Sequence, residues 1–303
     1  MKVERLPKLS RLVYAEWDEA PSEMAFEASW GEILAECAEL AVLLGEGLPS
    51  ALSSPASMTE SYWSAARRLF VRLPSIINVP LNWKICVELG LPLHPTQYFE
   101  VDGPALGSIR YPPALVEEAP LLLERAVEAA RALMRLDGQA AELTRGLRFS
   151  ADPAMPGYVF TSKPDKYTWR GSEPSKILTL AGRIEASGFG AGQRGLVVGA
   201  AHGSLVAGLV LAETLGWDLS YVRFSMFKRA DKVPVLTPSD IASFRRRQGI
   251  PALLFDEDVA KGTTLRIFTE TLAPYFSDCR SAAVIRHGLA GFRPDFAGIE
   301  WFD

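Results

Sequence analysis

The segment 252–265 constrains the fold of this chain more than any other, because it joins a strand, a turn and a helix start. Apolar residues from Ala252 to Phe255 predict a buried strand. Two adjacent carboxylates follow at what is expected to be its solvent-facing end, and we call them the acid pair: Asp256 and Glu257. A turn then leads into a helix with two hydroxyl residues at its start. Strand, turn and helix together indicate one βα unit of an α/β fold.

Each part of this segment has a use in binding a phosphorylated sugar. The acid pair offers oxygen ligands to vicinal sugar hydroxyls and to a Mg²⁺ ion. The turn is expected to direct backbone N–H groups at one point, near the positive end of a helix, where a phosphate monoester is stabilised. We call it the phosphate loop, and its residues are Ala260, Lys261, Gly262, Thr263 and Thr264. The alternative is an ordinary capped turn between a strand and a helix.

A second βα unit lies earlier in the chain. Residues 195–199 predict a strand, and a helix of small residues ends at Leu215-Gly216. The turn between them is the first loop, which contains Ala200, Ala201, His202, Gly203 and Ser204. Many α/β proteins have a glycine in such a turn, so this turn alone is a weak signal of function. The order and spacing of the two βα units together are a more specific signal than either unit alone.

A third predicted strand, 219–224, is followed by a polar stretch with a local excess of positive charge. From Met226 to Arg247 there are six cations and two acids, in a chain whose net charge is −4. We call this stretch the hood. It shows no pattern of burial, and 230–242 is expected to be mobile. A solvated loop is the alternative, and it is the one we favour for Arg245 to Arg247, as an exposed helix face.

In order and spacing, these segments resemble the type I phosphoribosyltransferases over residues 150–303. The resemblance implies that the acid pair contacts ribose and Mg²⁺, and that the first loop binds pyrophosphate. It implies that the hood brings basic residues to the leaving pyrophosphate, at Lys228 and Arg229. Members of this family often turn the first loop with a strained or cis non-proline peptide, which is expected here at Ala201–His202.

The end of the chain adds a fourth match. A predicted strand at 281–285 precedes Arg286 and His287, and a Pro-Asp-aromatic-small-Gly turn follows at 294–298. In purine-type members a basic residue after this strand reads an exocyclic oxygen of the base, which points to Arg286. The aromatic residue that stacks on the base would fall beyond residue 303. Trp301, Phe302 or the N-terminal half is therefore expected to supply that wall.

The chain also departs from the family. Hypoxanthine-guanine enzymes carry an Asp that serves the base N7 where this chain has Ala260. Lys261 replaces the usual Thr, and Asp258 replaces the usual aliphatic residue. A phosphate loop made of backbone N–H groups tolerates these changes, but they leave the acceptor open.

The first half of the chain predicts a mainly helical domain over 1–150, ahead of an α/β domain over 151–303 with a parallel sheet and helices on both faces. Periodic apolar residues place helices at 25–44, 61–73, 81–89 and 112–138. No motif of known chemistry stands out there, and that half resembles no family known to us. The polar and aromatic cluster at 163–170 fits either a linker or the lip of a substrate site.

Composition narrows the function classes. The chain has 303 residues, 48% of them apolar and 22% charged, as expected for a soluble globular protein of about two domains. A net charge of −4 argues against a general nucleic-acid binder. Three scattered cysteines without a CxxC pair suggest neither a disulfide framework nor a zinc site. Without a signal peptide or a long apolar run, a cytoplasmic location away from membranes is expected.

The resemblance implies a Mg²⁺-dependent enzyme of nucleotide metabolism that is a homodimer. It would transfer ribose 5-phosphate from phosphoribosyl pyrophosphate to a small nitrogen acceptor, with a nucleobase as one option, and release pyrophosphate. Two alternatives remain open. One is a regulator that senses the diphosphate without turnover, and the other is a hydrolase that uses water as the acceptor.

Overall fold

The computed structural model describes residues 3–14, 19–96, 107–150, 152–226 and 230–302. The chain forms two compact units. A helical unit comprises Pro7–Tyr14 and Glu19–Pro164, and an α/β unit joins the first residues, up to Leu6, to the residues from Asp165 onward. The predicted domain boundary at residue 150 stays a prediction. In the structure, the helical unit ends at Pro164 and the α/β unit resumes at Asp165.

The helical unit is built mainly from three long helices. Its elements are α1 (Lys8–Leu12), β1 (Phe26–Ser29), α2 (Trp30–Ser53), α3 (Glu60–Leu89), α4 (Pro113–Arg135), α5 (Ala140–Gly146) and β2 (Val159–Ser162). Helices α2 and α4 both pack against α3. Within the described ranges, no helix is long and apolar enough to cross a membrane.

Helix α3 is continuous where the sequence predicted two helices, 61–73 and 81–89. Pro74 and Pro80 lie inside it, and each removes one backbone donor from the helix. The helix persists because it is buried on nearly all sides from Ser75 to Val87, so tertiary packing outweighs the local cost of the prolines.

The helix predicted to begin at residue 25 is α2, and the predicted start is wrong because α2 begins at Trp30. Residues 26–29 form β1, which pairs antiparallel with β2 in the register Phe26↔Ser162. Helix α2 begins after Ser29, whose side chain accepts a hydrogen bond from the Glu32 N–H while the Glu32 carboxylate accepts one from the Ser29 N–H at 2.8 Å. This reciprocal capping fixes the helix start at Trp30, five residues later than the apolar pattern suggested.

The α/β unit contains a five-stranded, fully parallel sheet. Its elements are α6 (Lys166–Gly171), α7 (Pro174–Ala186), β3 (Leu196–Ala201), α8 (Leu205–Leu215), β4 (Asp218–Arg223), α9 (Pro238–Arg246), β5 (Ala252–Val259), α10 (Thr263–Leu272), β6 (Cys279–His287) and β7 (Phe296–Trp301). The strand order is β4-β3-β5-β6-β7. The predicted fold class, a parallel α/β sheet after a mainly helical half, is therefore confirmed.

Helices cover both faces of this sheet. On one face, Val198 and Leu254 belong to a buried cluster with Phe244 of α9 and Phe268 of α10. On the other face lies α8, where the Tyr221 hydroxyl of β4 donates a hydrogen bond to the Leu205 carbonyl. Because all five strands run in the same direction, the loops after them meet at one edge, where open α/β sheets bind ligands.

Candidate active site

The acid pair lies within β5, because this strand continues past Phe255 to Val259. Asp256 and Glu257 are 8% and 9% exposed, so the expectation of a solvent-facing strand end is wrong. The Glu257 N–H donates to Asp256 Oδ1 at 3.1 Å. Burial, followed by the charge of Glu257 and a side-chain hydrogen bond with it, raises the pKa of Asp256 well above its usual range. A cation or several hydrogen-bond donors would relieve this repulsion.

Glu257 is enclosed by glycines from two other elements. A Cβ on Gly203 of the first loop would overlap the Glu257 carboxylate. A Cβ on Gly171, the last residue of α6, would lie 2.9 Å from both Cβ and Cγ of Glu257. Thr168, also on α6, donates from its hydroxyl to Glu257 Oε1 at 3.5 Å. The close packing of Glu257 against the first loop and against α6 therefore depends on Gly203 and Gly171, which have no side chain.

The first loop turns sharply from β3 into α8. Its Ala201–His202 peptide bond is cis, which confirms the expectation for that position. Ala201 is buried, whereas His202 and Gly203 are partly exposed at the carboxyl edge of the sheet. Ser204 is buried and donates from its hydroxyl to the Ala200 carbonyl at 2.7 Å, which ties the loop back to its strand.

The phosphate loop opens helix α10 as predicted, with the helix beginning at Thr263. Gly262 precedes it with φ 84°, in the left-handed region, and a Cβ there would lie 2.6 Å from Phe292 Cβ. Ala260, Lys261 and Thr263 are exposed and Thr264 is partly exposed. Since the first N–H groups of a helix have no acceptor within it, this loop can offer backbone donors to an anion.

The two predicted hood cations, Lys228 and Arg229, lie outside the described residues. The segment next to them is more buried than its polar sequence suggested, since Asp231, Val235, Thr237 and Asp240 are all buried. The buried Arg223 side chain of β4 pairs with Asp231 at 3.0 Å, and the Ser225 N–H donates to the same carboxylate at 2.9 Å. Arg245 and Arg246 are exposed on α9, as expected.

Arg286, expected to read a base, is largely buried at the end of β6. Its guanidinium donates to Glu300 Oε1 of β7 at 3.1 Å, and Arg293 donates to the same oxygen at 3.3 Å. Of the two aromatic residues proposed as a wall, Phe302 is 75% exposed. Trp301 is partly buried, and the Arg170 guanidinium of α6 lies 5.1 Å from its ring centroid.

The sequence analysis left one group of residues at this edge open and missed another. Helix α6, in the segment interpreted as either a linker or a substrate lip, contacts β5 through Thr168 and Gly171. The other group is a pair across two neighbouring strands, in which His287 Nε2 lies 3.2 Å from Asp258 Oδ2. The departure at Asp258 was a usable signal for this pair, but its partner is distant in sequence.

The acid pair suits Mg²⁺ better than a metal that needs a complete protein cage. The described residues contain no group of three or more His, Cys, Asp or Glu side chains arranged to hold a metal. Mg²⁺ commonly binds through one or two carboxylates together with water and substrate phosphates. Two adjacent carboxylates beside a predicted phosphate site fit that pattern.

Comparisons with known proteins concern part of the chain only. No family model and no curated protein matches it. Similar solved structures include a purine phosphoribosyltransferase from Pyrococcus horikoshii Ot3, at 17% identity over 45% of this chain and 88% of that one, with a TM-score of 0.34. A hypothetical protein from Neisseria gonorrhoeae with bound ppGpp is 16% identical over 43% and 80%, with a TM-score of 0.37. A hypoxanthine phosphoribosyltransferase from Staphylococcus aureus is 17% identical over 42% and 74%, with a TM-score of 0.34.

Proposed function

We propose that this protein transfers ribose 5-phosphate from phosphoribosyl pyrophosphate to a small nitrogen acceptor and releases pyrophosphate. The observation that carries the proposal is the contact between Glu257 of β5 and Gly203 of the first loop. This contact brings the acid pair beside the first loop, and the phosphate loop follows the acid pair two residues later in the chain. One edge of the sheet thus offers groups for a ribose, for its 5-phosphate and for a diphosphate.

Each group has a distinct task. The acid pair would hold the ribose hydroxyls, the phosphate loop would bind the 5-phosphate, and Ala201, His202 and Gly203 would bind pyrophosphate. Mg²⁺ bound beside the acid pair would neutralise charge on the leaving pyrophosphate. Since the C1–O bond breaks toward an oxocarbenium-like state, the protein contributes mainly orientation and charge stabilisation. Arg286 would face the acceptor.

Calorimetric titration of phosphoribosyl pyrophosphate with Mg²⁺ tests the binding step. The double substitution Asp256→Asn with Glu257→Gln should abolish binding without unfolding the protein, because both replacements keep the side-chain volume. Asp278→Asn, at an exposed acid outside the site, is the matched control and should leave binding intact. Unchanged affinity in the double variant would refute the assignment of the acid pair.

Release of pyrophosphate separates the three functions. Wild-type protein should release it in the presence of purines, pyrimidines or small amides. Diphosphate binding without any release would favour a sensor, and ribose 5-phosphate formation without an acceptor would favour a hydrolase. Lys228→Ala or Arg229→Ala should each lower kcat by roughly 10²–10³, the scale of one lost electrostatic stabiliser. Arg246→Ala on the exposed face of α9 is the control, and equal kcat in all three variants would remove the hood from the mechanism.

The remaining expectations stay part of the proposal. A homodimer would show as twice the chain mass in sedimentation equilibrium. A cytoplasmic location and the absence of a nucleic-acid partner are proposed as well, and fractionation of cells that produce the tagged protein tests the location.

A further inference from the structure

We propose that His287, oriented by Asp258, accepts the proton that the acceptor nitrogen loses when it is joined to the ribose. This inference rests on the proposed function and adds the proton acceptor that the reaction needs. An acceptor N–H that forms the new bond must lose its proton, and Ala260 offers no carboxylate at the position where the hypoxanthine-guanine enzymes have one.

The pair has the geometry of a histidine held by a carboxylate. His287 is the last residue of β6 and Asp258 belongs to the neighbouring strand β5, with 3.2 Å between Nε2 and Oδ2. Their side chains are 16% and 10% exposed, so the pair is shielded but reachable. Because a carboxylate only accepts hydrogen bonds, Nε2 carries the hydrogen, and the lone pair of the neutral ring is on Nδ1. Asp258 is thus a positioning residue that fixes the tautomer and stabilises the imidazolium that forms.

The strand order places His287 on the acceptor side of the ribose. The first loop and the hood, which would hold pyrophosphate, follow β3 and β4, whereas the acid pair is on β5. In the order β4-β3-β5-β6-β7, β6 lies on the side of β5 away from both pyrophosphate segments. A nucleophile that replaces a leaving group directly at a sugar carbon approaches from the opposite face. The acceptor would therefore lie above β6 and β7, where Trp301 is the cross-strand partner of His287.

The step is balanced without a further reactant. The nitrogen lone pair forms the N–C1 bond, and the C1–O bond breaks with its electron pair remaining on the pyrophosphate. The proton of the acceptor N–H passes to Nδ1 of His287 and then to solvent. A general base of this kind contributes about 10²–10⁴-fold to a rate.

A purely structural role, in which the pair only ties the ends of β5 and β6 together, predicts a different set of variants. His287→Gln retains an N–H donor for Asp258 but has no nitrogen that accepts a proton at neutral pH. If the role of His287 is structural, Gln should replace it without loss of activity. If His287 accepts a proton, the same substitution should remove that step.

The experiment measures pyrophosphate release from phosphoribosyl pyrophosphate with whichever nucleobase supports turnover in the wild type. His287→Gln should lower kcat at least 10²-fold, while the KM and the calorimetric Kd for phosphoribosyl pyrophosphate stay within about twofold. His287→Ala should regain part of its kcat when imidazole is added, and Asp258→Asn should lose kcat without such rescue. Arg280→Ala, at an exposed cation near the other end of β6, is the control.

The outcomes separate this inference from the function on which it rests. Full kcat in the Gln and Ala variants, or equal losses of thermal stability and diphosphate binding in both, would overturn the role of His287 alone. An absence of pyrophosphate release by the wild type with every purine, pyrimidine and small amide would overturn the proposed function, and this inference with it.

Discussion

Asp256 is a residue whose folded surroundings oppose its own charge. It is buried beside Glu257, and its pKa is raised by burial and by that neighbouring charge. Isolated carboxylates in such positions persist where a ligand or a cation compensates them. The residue is thus suited to binding and unfavourable for the stability of the ligand-free fold.

Asp256→Asn should therefore stabilise the ligand-free protein while it weakens diphosphate binding. Between the pKa of the unfolded chain, about 3.9, and the raised pKa of the folded state, the folded protein binds more protons. The contribution of Asp256 to the free energy of unfolding consequently falls as pH rises through that window and stays low above it. Scanning calorimetry from pH 4 to 8 should show that the Tm of the Asn variant rises relative to that of the wild type as pH increases. Each kcal/mol of difference in the free energy of unfolding corresponds to roughly 2–4 °C in Tm.

The exposed Asp278→Asn variant is the comparison for this effect and should track the wild type throughout. A Tm for Asp256→Asn that lies below that of the wild type at pH 7 would show that the carboxylate stabilises the ligand-free fold.

At the scale of elements, local signals predicted those parts of the fold that local chemistry determines. The existence of β3 and β5 and the start of α10 after Gly262 were read correctly from short windows of sequence, although both strands extend further than predicted. Contacts between distant residues were not. The Arg223–Asp231 pair buries a segment that is polar by composition, and β1 pairs with a strand whose sequence lies in the other half of the chain.

In the candidate site, too, contiguous segments were predicted from the sequence and contacts between distant residues were not. The acid pair and the two loops were identified from their order, because each is a contiguous stretch between a strand and a helix. Helix α6 was left open between a linker and a substrate lip, and the Asp258–His287 pair was missed, since both join the site only through contacts with β5. Burial of Glu257 was also missed, because the glycines that pack against it, Gly171 and Gly203, are remote in sequence.

Ser29→Ala tests the element whose start was predicted wrongly. Removal of the Ser29 hydroxyl from the capping box of α2 should lower the free energy of unfolding by about 1 kcal/mol in urea titration. Thr59→Ala is the matched control, because Thr59 precedes α3 in the same position but its side chain caps no backbone N–H of that helix and meets only the Ser61 hydroxyl, at 2.7 Å. Equal losses in the two variants would mean that capping does not determine where α2 begins.

At the scale of the whole molecule, net charge and local charge have opposite signs. The chain carries −4, whereas the hood carries six cations against two acids. Long-range forces between an anionic ligand and a negative protein are repulsive, but a basic segment near the site attracts the same ligand over about one Debye length.

The salt dependence of association shows which of the two dominates. The association rate of phosphoribosyl pyrophosphate, measured by stopped flow, should fall as salt is raised, because screening weakens the attraction of the hood. The double variant Lys228→Ala with Arg229→Ala should show a shallower fall. An association rate that increases with salt would mean that the net charge governs the encounter.

The pairing of β1 with β2 has a consequence for synthesis on the ribosome. Phe26 leaves the exit tunnel long before Ser162, its partner in the ribbon. At translation rates of roughly 5–20 residues per second, the interval between them is about 7–27 s. Helices α2 to α5 emerge within that interval, so the nascent helical unit can pack its core while one edge still lacks its strand. Every strand of the parallel sheet emerges later, so the acid pair and both loops leave the tunnel only after the whole helical unit.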